Sequence, residues 1–363
     1  MSDDTESPPD AAARPVAASP AEGETSGSAA ARPRPVSWYR TPIDVDLLRR
    51  LHRRSDALGL LQALGYLGVL ALTGTAAFLA AGRLPWPAVV GLVFLHGMVS
   101  AFYINGVHEV GHGTVFRTRA LTWFFVRVLS FLGWINFQHF QASHSRHHKY
   151  TLHPPDDLEV VLPARIMVKH FFRQGFANPW AAWGTLKTTI RHARGRFQGD
   201  WERTLFPESE PERGRPTMGW ARTLLVGHGL ILAVALYHQL WMIPVLVTLA
   251  PFYGGWLFFL CNNTQHIGLQ DNVPDFRLCC RTFLLNPVVK FVYWHMNYHT
   301  EHHMYAAVPC YKLGQLHRAI RHDLPPCPKG IIATWKEIAA IQARQDADPA
   351  YQHVAPLPQA ATA

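Results

Sequence analysis

The strongest constraint on the fold is a set of three long tracts that contain no Asp, Glu, Lys or Arg. They cover residues 57–82, 84–107 and 223–270. As helices, the first two would each be about 36–39 Å long, which exceeds the roughly 30 Å hydrocarbon core of a bilayer. The third would be about 72 Å long, too long for a single crossing. Charge-free helices of this length are uncommon in soluble proteins, so we expect an integral membrane protein.

The third tract contains a polar, proline-containing stretch at 238–244 that can serve as a hinge between two spans. We therefore predict an all-α integral membrane protein with four transmembrane helices in two hairpins. The expected spans cover about residues 57–82, 84–107, 223–240 and 244–265 of one domain, 37–342. Residues 1–36 and 343–363 are poor in bulky apolar side chains, and we expect a disordered N-terminal tail and a flexible C-terminal tail.

Basic residues predict the orientation. The chain carries 34 Lys and Arg against 25 Asp and Glu, a formal net charge of +9. These positive charges precede the first span, lie between residues 108 and 222 or follow residue 270, whereas the hairpin turns contain only Arg83. Since cytoplasmic loops are enriched in Lys and Arg, we expect both termini and the central loop in the cytoplasm, with the chain in a bacterial inner membrane. This distribution argues against a nucleic-acid surface.

Three further segments are apolar or amphipathic but do not suit a span. Residues 123–137 and 283–298 are short or interrupted by charge and proline, which favours interfacial helices. Residues 166–197 combine Arg and Lys with Phe and Trp, which is typical of a helix on the membrane surface but equally of a solvated basic helix.

Eight of the 21 histidines fall in three short boxes. An HxxxH pair follows the second span, one HxxHH run lies in the central loop, and another follows the last span. Residues i, i+3 and i+4 of a helix share one face, so each box directs two or three imidazoles to one place. The boxes consist of His108 and His112; His144, His147 and His148; and His299, His302 and His303.

A ninth histidine, His266, follows the predicted last span one turn after Asn262 and at a similar depth. Four imidazoles complete a tetrahedral site and six complete an octahedron, so nine predict two metal ions. Imidazole binds Fe, Zn, Cu and Ni, and ligand type alone does not select among them.

Four acidic residues are placed to accept hydrogen bonds from these imidazoles and orient them. They are Glu109, Glu301, Asp156 and Asp157. For the two aspartates, solvated loop charge is an equal alternative.

The first box also satisfies HExxH, in which two histidines bind zinc and Glu109 would act as the general base of a metalloprotease. A protease of this kind needs one further ligand, so two additional HxxHH runs disfavour it.

The combination of HEVGHG, HSRHH, NNTQH and NYHTEHH, followed by Val308-Pro309, resembles the membrane-bound fatty acid desaturase/hydroxylase superfamily over about residues 60–325. The resemblance implies a four-helix, mushroom-like fold whose helical cytoplasmic cap holds a non-haem di-iron centre. The histidines of the three boxes and His266 would bind the irons, and Asn262 would contact iron through water.

Two departures concern the electron donor. No His-Pro-Gly-Gly motif of a fused cytochrome b5 domain occurs, and the third box begins with His299 where desaturases that carry that domain usually have Gln. Both point to a separate donor, a ferredoxin or a free cytochrome b5. The basic cytoplasmic face could bind an acidic donor or anionic lipid.

The resemblance implies an oxidoreductase that uses O2 and two electrons to remove hydrogen from an unactivated C–H bond. We expect a desaturase that introduces a double bond into a fatty acyl or lipid-like chain, with no catalytic side chain beyond the metal centre. The alternative is a hydroxylase or ketolase of a lipid, carotenoid or small biosynthetic molecule that uses the same site. The carrier and the position of the double bond stay open.

Overall fold

The computed structural model describes residues 35–358, so the predicted N-terminal tail lies outside the described residues except for its last two. Within this range the secondary structure is helical, apart from isolated β-bridges. Three short 3-10 helices cover Pro211–Gly214, Ala250–Phe252 and Cys310–Lys312. The α-helices are α1 (Val45–Leu51), α2 (Asp56–Ala80), α3 (Trp86–Ser100), α4 (Tyr103–Gly111), α5 (Arg119–Leu132), α6 (Phe137–Tyr150), α7 (Val168–Gly175), α8 (Pro179–Ala193), α9 (Gly199–Leu205), α10 (Arg215–Tyr237), α11 (Met242–Leu246), α12 (Trp256–Asn262), α13 (Phe276–Cys279), α14 (Pro287–Val292), α15 (His299–Met304), α16 (Leu313–Ile320) and α17 (Gly330–Ala347).

Three helical stretches of the described chain are long and apolar enough to cross a membrane. They are α2, the joined pair α3 and α4 over Trp86–Gly111, and Pro211–Tyr237, which contains α10. At most 33% of the most apolar window of each is buried inside the protein, so most of its surface is available to lipid. These stretches overlap the first three predicted spans, and the third of them begins at residue 211 rather than 223.

Over the predicted fourth span, residues 244–265, the chain does not form one helix. It consists of α11, the 3-10 turn Ala250–Phe252 and α12. Pro251 lacks an amide donor for a continuous helix, and Gly254 has a φ of +70°, a left-handed conformation. By length and composition, a fourth membrane crossing is possible only if α5 and α6 count together as one span, but the chain bends by 106° between these two helices. The four-span topology therefore stays a prediction.

The broken segment exposes backbone carbonyls that a continuous helix would satisfy internally. Side chains from other elements donate to them: His96 Nε2 lies 2.9 Å from the Leu246 oxygen, and Trp134 Nε1 donates to Thr248 at 2.9 Å. Tyr253 within the segment donates its hydroxyl to the Val245 oxygen at 3.0 Å. His96 therefore has the hydrogen-bonded packing role expected of a neutral histidine inside a span, since unpaired backbone groups are costly in an apolar surrounding.

Two features place the histidine boxes beside each other. The second predicted span continues through α4 to Gly111, and His112 at its C-cap still has helical backbone angles, so the first box lies at the C-terminal end of this helical stretch. Beyond the sharp bend from α5, α6 then packs against α4 and α10. The first and second boxes consequently lie on contacting helices.

The C-terminal boundary predicted at residue 343 falls inside α17, which ends at Ala347. This helix is attached to the rest of the protein, since Trp335 Nε1 donates to the Leu260 oxygen at 2.8 Å. Beyond the helix, Ala355 is buried, and residues 359–363 lie outside the described chain.

Two glycines of α3 provide a matched test of how the broken segment packs. A Cβ at Gly97 would lie 2.5 Å from the Tyr253 carbonyl oxygen, whereas one at Gly91 would have no atom within 4 Å. We expect Gly97→Ala to cost about 1–3 kcal/mol of stability through overpacking. Gly91→Ala should be neutral or stabilising, because alanine is the better helix former by about 1 kcal/mol. Thermal unfolding in detergent measures both, and equal melting temperatures would contradict the packing described.

Candidate metal centre

Helices and the turns next to them bring all nine histidines of the sequence prediction into one buried region. The first box lies at the end of α4, the second on α6, the third on α15, and His266 follows α12. Seven of the nine are almost fully buried, and His112 and His148 are partly buried. Such a concentration of imidazoles needs either hydrogen-bond partners or a bound cation.

The first group joins all three boxes and consists of His108, His112, His144, His148 and His302, whose candidate ligand atoms lie within 4.8 Å of one another. The Nε2 atoms of His302 and His148 are 3.1 Å apart. Those of His108, His112 and His144 are buried without a hydrogen-bond partner. The five rings therefore present nitrogen atoms to one small volume.

The second group consists of His266, His299, His303 and Cys280, again with ligand atoms within 4.8 Å of one another. The Nε2 atoms of His266 and His299 are 2.9 Å apart. His147 lies beside this group, its ring centroid 5.2 Å from that of His266 and 5.0 Å from that of His303. The middle histidine of the second box thus faces a different group from its two neighbours.

The spacing of the nitrogens fits coordination. Two imidazole nitrogens bound to neighbouring positions of one octahedral ion at about 2.1 Å lie about 3.0 Å apart. The observed separations of 2.9 and 3.1 Å are close to that value. His266 has its Nδ1 within 2.8 Å of the Cys279 oxygen, a contact that places the proton on Nδ1 and leaves the Nε2 lone pair free. The residues present therefore fit two metal ions.

Burial keeps the imidazoles of His112 and His266 neutral. It lowers the pKa of His112 to about 4. Burial, followed by the nearby His147, lowers the pKa of His266 to about 3. Both rings are consequently unprotonated at neutral pH, the state in which imidazole binds metals.

Three carboxylates orient imidazoles through Nδ1, which directs Nε2 inward. Glu109 Oε1 lies 3.0 Å from His108 Nδ1 and 3.4 Å from His302 Nδ1. Asp157 lies 2.7 Å from His147 Nδ1. Glu159 lies 2.8 Å from His144 Nδ1.

Glu109 and Asp157 thus lie within reach of the imidazoles that they are expected to orient. Asp156 and Glu301 instead contact residues outside the nine histidines. Asp156 forms an ion pair with Arg146 at 3.0 Å. It points away from His147, because consecutive residues of an irregular segment face different ways. Glu301, on α15, hydrogen-bonds Thr282 and lies 2.5 Å from Nδ1 of His317, outside the nine histidines.

The sequence reasoning missed Glu159 and Cys280. Glu159 lies in the acidic stretch that follows the second box, so the clustering of acids after HSRHH was an available signal. Cys280 had no local signal, because it is the extended C-cap residue of α13 and reaches the histidines only in the folded chain. Asn262 ends α12 one turn before His266, and its contact with iron through water stays a prediction.

A third cluster consists of His139, His192 and Glu202, whose candidate ligand atoms also lie within 4.8 Å of one another. Its polar groups are nevertheless better explained by contacts within the protein. Arg191 binds both oxygens of Glu202, at 2.5 and 2.8 Å, and His192 Nε2 lies 3.0 Å from one of them. Although burial raises the pKa of Glu202, hydrogen bonds from His192, Arg191 and the Gln198 amide hold it at about 2. The guanidinium already supplies the positive charge that a metal would bring.

A family model described as fatty acid desaturase matches residues 84–335, a range that contains all nine histidines. Comparison with curated proteins finds no significant match.

The adjacent residues Asp156 and Asp157 allow a matched test of ligand orientation. We expect Asp157→Asn to weaken metal binding about 10–100-fold, because the carboxylate that orients His147 is lost. Asp156→Asn should leave the affinity for metal near the wild-type value, since this residue contacts Arg146 and not an imidazole. Metal titration of both variants measures the difference, and equal affinities would refute the orienting role of Asp157.

Proposed function

The chain belongs to the fatty acid desaturase family, and from this membership and its paired histidine groups we propose an O2-dependent di-iron desaturase of a fatty acyl or lipid-like chain. The observation that carries the proposal is the division of nine imidazoles into two adjoining groups. A single metal ion binds at most about six such ligands, so nine imidazoles exceed what one mononuclear site can coordinate.

The proposed ligands of the first iron are His108, His112, His144, His148 and His302. Those of the second are His147, His266, His299 and His303, with Asn262 contacting it through water. Iron bound here would supply the capacity to activate O2 for attack on a C–H bond. Imidazole ligands alone do not choose iron, and the choice follows from the family.

The overall reaction balances with an external reductant. Two hydrogen atoms leave adjacent carbons of the substrate, and O2, two electrons and two protons are consumed to give a double bond and two waters. The protein contributes positioning, since a displacement of about 1 Å at the reacting carbon can cost a factor of about 100 in rate. Phe140 supports this rigidity, because its ring stacks on His144 with the centroids 5.0 Å apart.

We propose that the centre lies at the cytoplasmic face, with both termini in the cytoplasm of a bacterial cell. The support is the concentration of Lys and Arg on the side of the bilayer that also carries the histidine boxes. The electrons would come from a separate ferredoxin or cytochrome b5, attracted by the basic loops.

Hydroxylation or ketolation is the second candidate, because the same site can return oxygen to the substrate. The metalloprotease alternative has less support. The Oε1 of Glu109 lies close to two imidazole Nδ1 atoms, a position suited to orienting ligands and not to serving as a free general base.

Replacing a central histidine tests the metal assignment. We expect His302→Ala to reduce oxidation by more than about 100-fold and to lower bound iron, because a methyl group cannot fill a coordination position and loss of an orienting partner alone costs 10–100-fold. His322→Ala, at an exposed position, is the control and should retain two irons per chain. Iron analysis and product formation measure both variants, and full activity with two irons in His302→Ala would exclude His302 as a ligand.

Product analysis distinguishes the two oxidations. We expect lipids from a host that expresses the gene to contain a product lacking two hydrogen atoms, with a new double bond. The same host carrying the His302→Ala gene is the control. Mass spectrometry of lipids and metabolites identifies the product, and one that is heavier by an oxygen atom without a double bond would replace desaturation by hydroxylation.

A further inference from the structure

We propose that Cys280 is a further ligand of the second metal, where its thiolate joins the imidazole of His147 and those of the three histidines grouped with it, His266, His299 and His303. The proposal rests on the di-metal function above but concerns a residue that the histidine boxes do not include.

The first argument is distance. The Sγ of Cys280 and one nitrogen of each of the three histidines lie within 4.8 Å of one another. A metal–thiolate bond is about 2.3 Å long and a metal–imidazole bond about 2.1 Å, so opposite ligands of one ion are about 4.4 Å apart. The cluster is thus compact enough to close on one ion with shifts of a few tenths of an ångström.

The second argument is that the backbone on both sides of the thiol is tied to the ligand histidines. The carbonyl of Cys279, the last residue of α13, accepts from Nδ1 of His266 at 2.8 Å. The carbonyl of Cys280 accepts from the hydroxyl of Thr300 at 3.0 Å, next to His299 on α15. These contacts fix the position of the thiol relative to two of its proposed co-ligands.

The third argument is the surroundings of the site. Cys280 is 2% exposed and His303 is 3% exposed, so the thiol has little access to water. The Nε2 of His303 is buried without a hydrogen-bond partner, which is an independent indication that a cation binds at this place. A cation bound there would contact both groups.

On binding, the S–H bond of Cys280 breaks, its proton is released to solvent, and a metal–sulfur bond forms without any change in oxidation state. The second metal would then carry a soft, negatively charged ligand that the first metal lacks. The two ions would differ in chemistry, with a thiolate at one and only neutral imidazoles at the other.

The adjacent Cys279 provides a matched control. It is also fully buried, and its Sγ lies 3.9 Å from that of Cys280, but it is not a member of the ligand group. Serine at either position changes one sulfur to oxygen at nearly constant shape.

X-ray absorption at the iron edge of the purified, iron-loaded protein tests the proposal. We expect a sulfur shell at about 2.3 Å, equal to about half a sulfur per iron when averaged over two ions. The shell should persist in Cys279→Ser and disappear in Cys280→Ser. Iron analysis of the same samples gives the number of ions per chain.

The outcomes separate the two proposals. Two irons with nitrogen and oxygen ligands but no sulfur in the wild-type protein would refute the thiolate and leave the di-iron function intact. Fewer than two irons in the loaded wild-type protein would refute the di-iron site itself. A sulfur shell that persists in Cys280→Ser would also overturn the assignment. If that variant does not fold, the wild-type spectrum still decides, and loss of the shell in Cys279→Ser would reassign the ligand.

Discussion

The most demanding feature of this structure is a cluster of buried imidazoles whose nitrogen lone pairs face each other. Each buried acceptor without a donor costs about 1–3 kcal/mol, and the Nε2 atoms of His108, His112, His144 and His303 are in this condition. A cation changes this cost into a favourable interaction, so metal binding and stability are linked. The surrounding fold offsets this cost and fixes the orientation of the rings. Carboxylates accept hydrogen bonds from the Nδ1 atoms of the imidazoles, and the packing of α4, α6 and α15 restricts the positions of the rings.

The parts of the site that follow from sequence are those fixed by helical periodicity. His144 and His148 lie four residues apart on α6 and reach the same group, as i and i+4 spacing predicts. His147, one residue before His148, faces the other group, because neighbouring positions on a helix point about 100° apart. The spacing of this one box thus already directs its three histidines to two different groups.

The parts that sequence could not supply come from irregular segments. Nothing in the order of Asp156 and Asp157 tells which carboxylate reaches an imidazole, and Cys280 reaches the histidines as the extended C-cap residue of the short helix α13. The predicted fourth span shows the same difficulty at a larger scale. Like the other predicted spans it contains no charged residue, but Pro251 and the left-handed Gly254 interrupt the helix, so the apolar tract is divided into short pieces.

This divided tract also has a consequence for how the chain enters the bilayer. A continuous apolar helix can partition into lipid alone, because it satisfies its own backbone. The segment from Val245 to Thr248 instead relies on donors such as His96 of α3 and Trp134, which follows α5. In a membrane, this segment would therefore be stable only once those neighbours are in position, so it would assemble against them after they have folded.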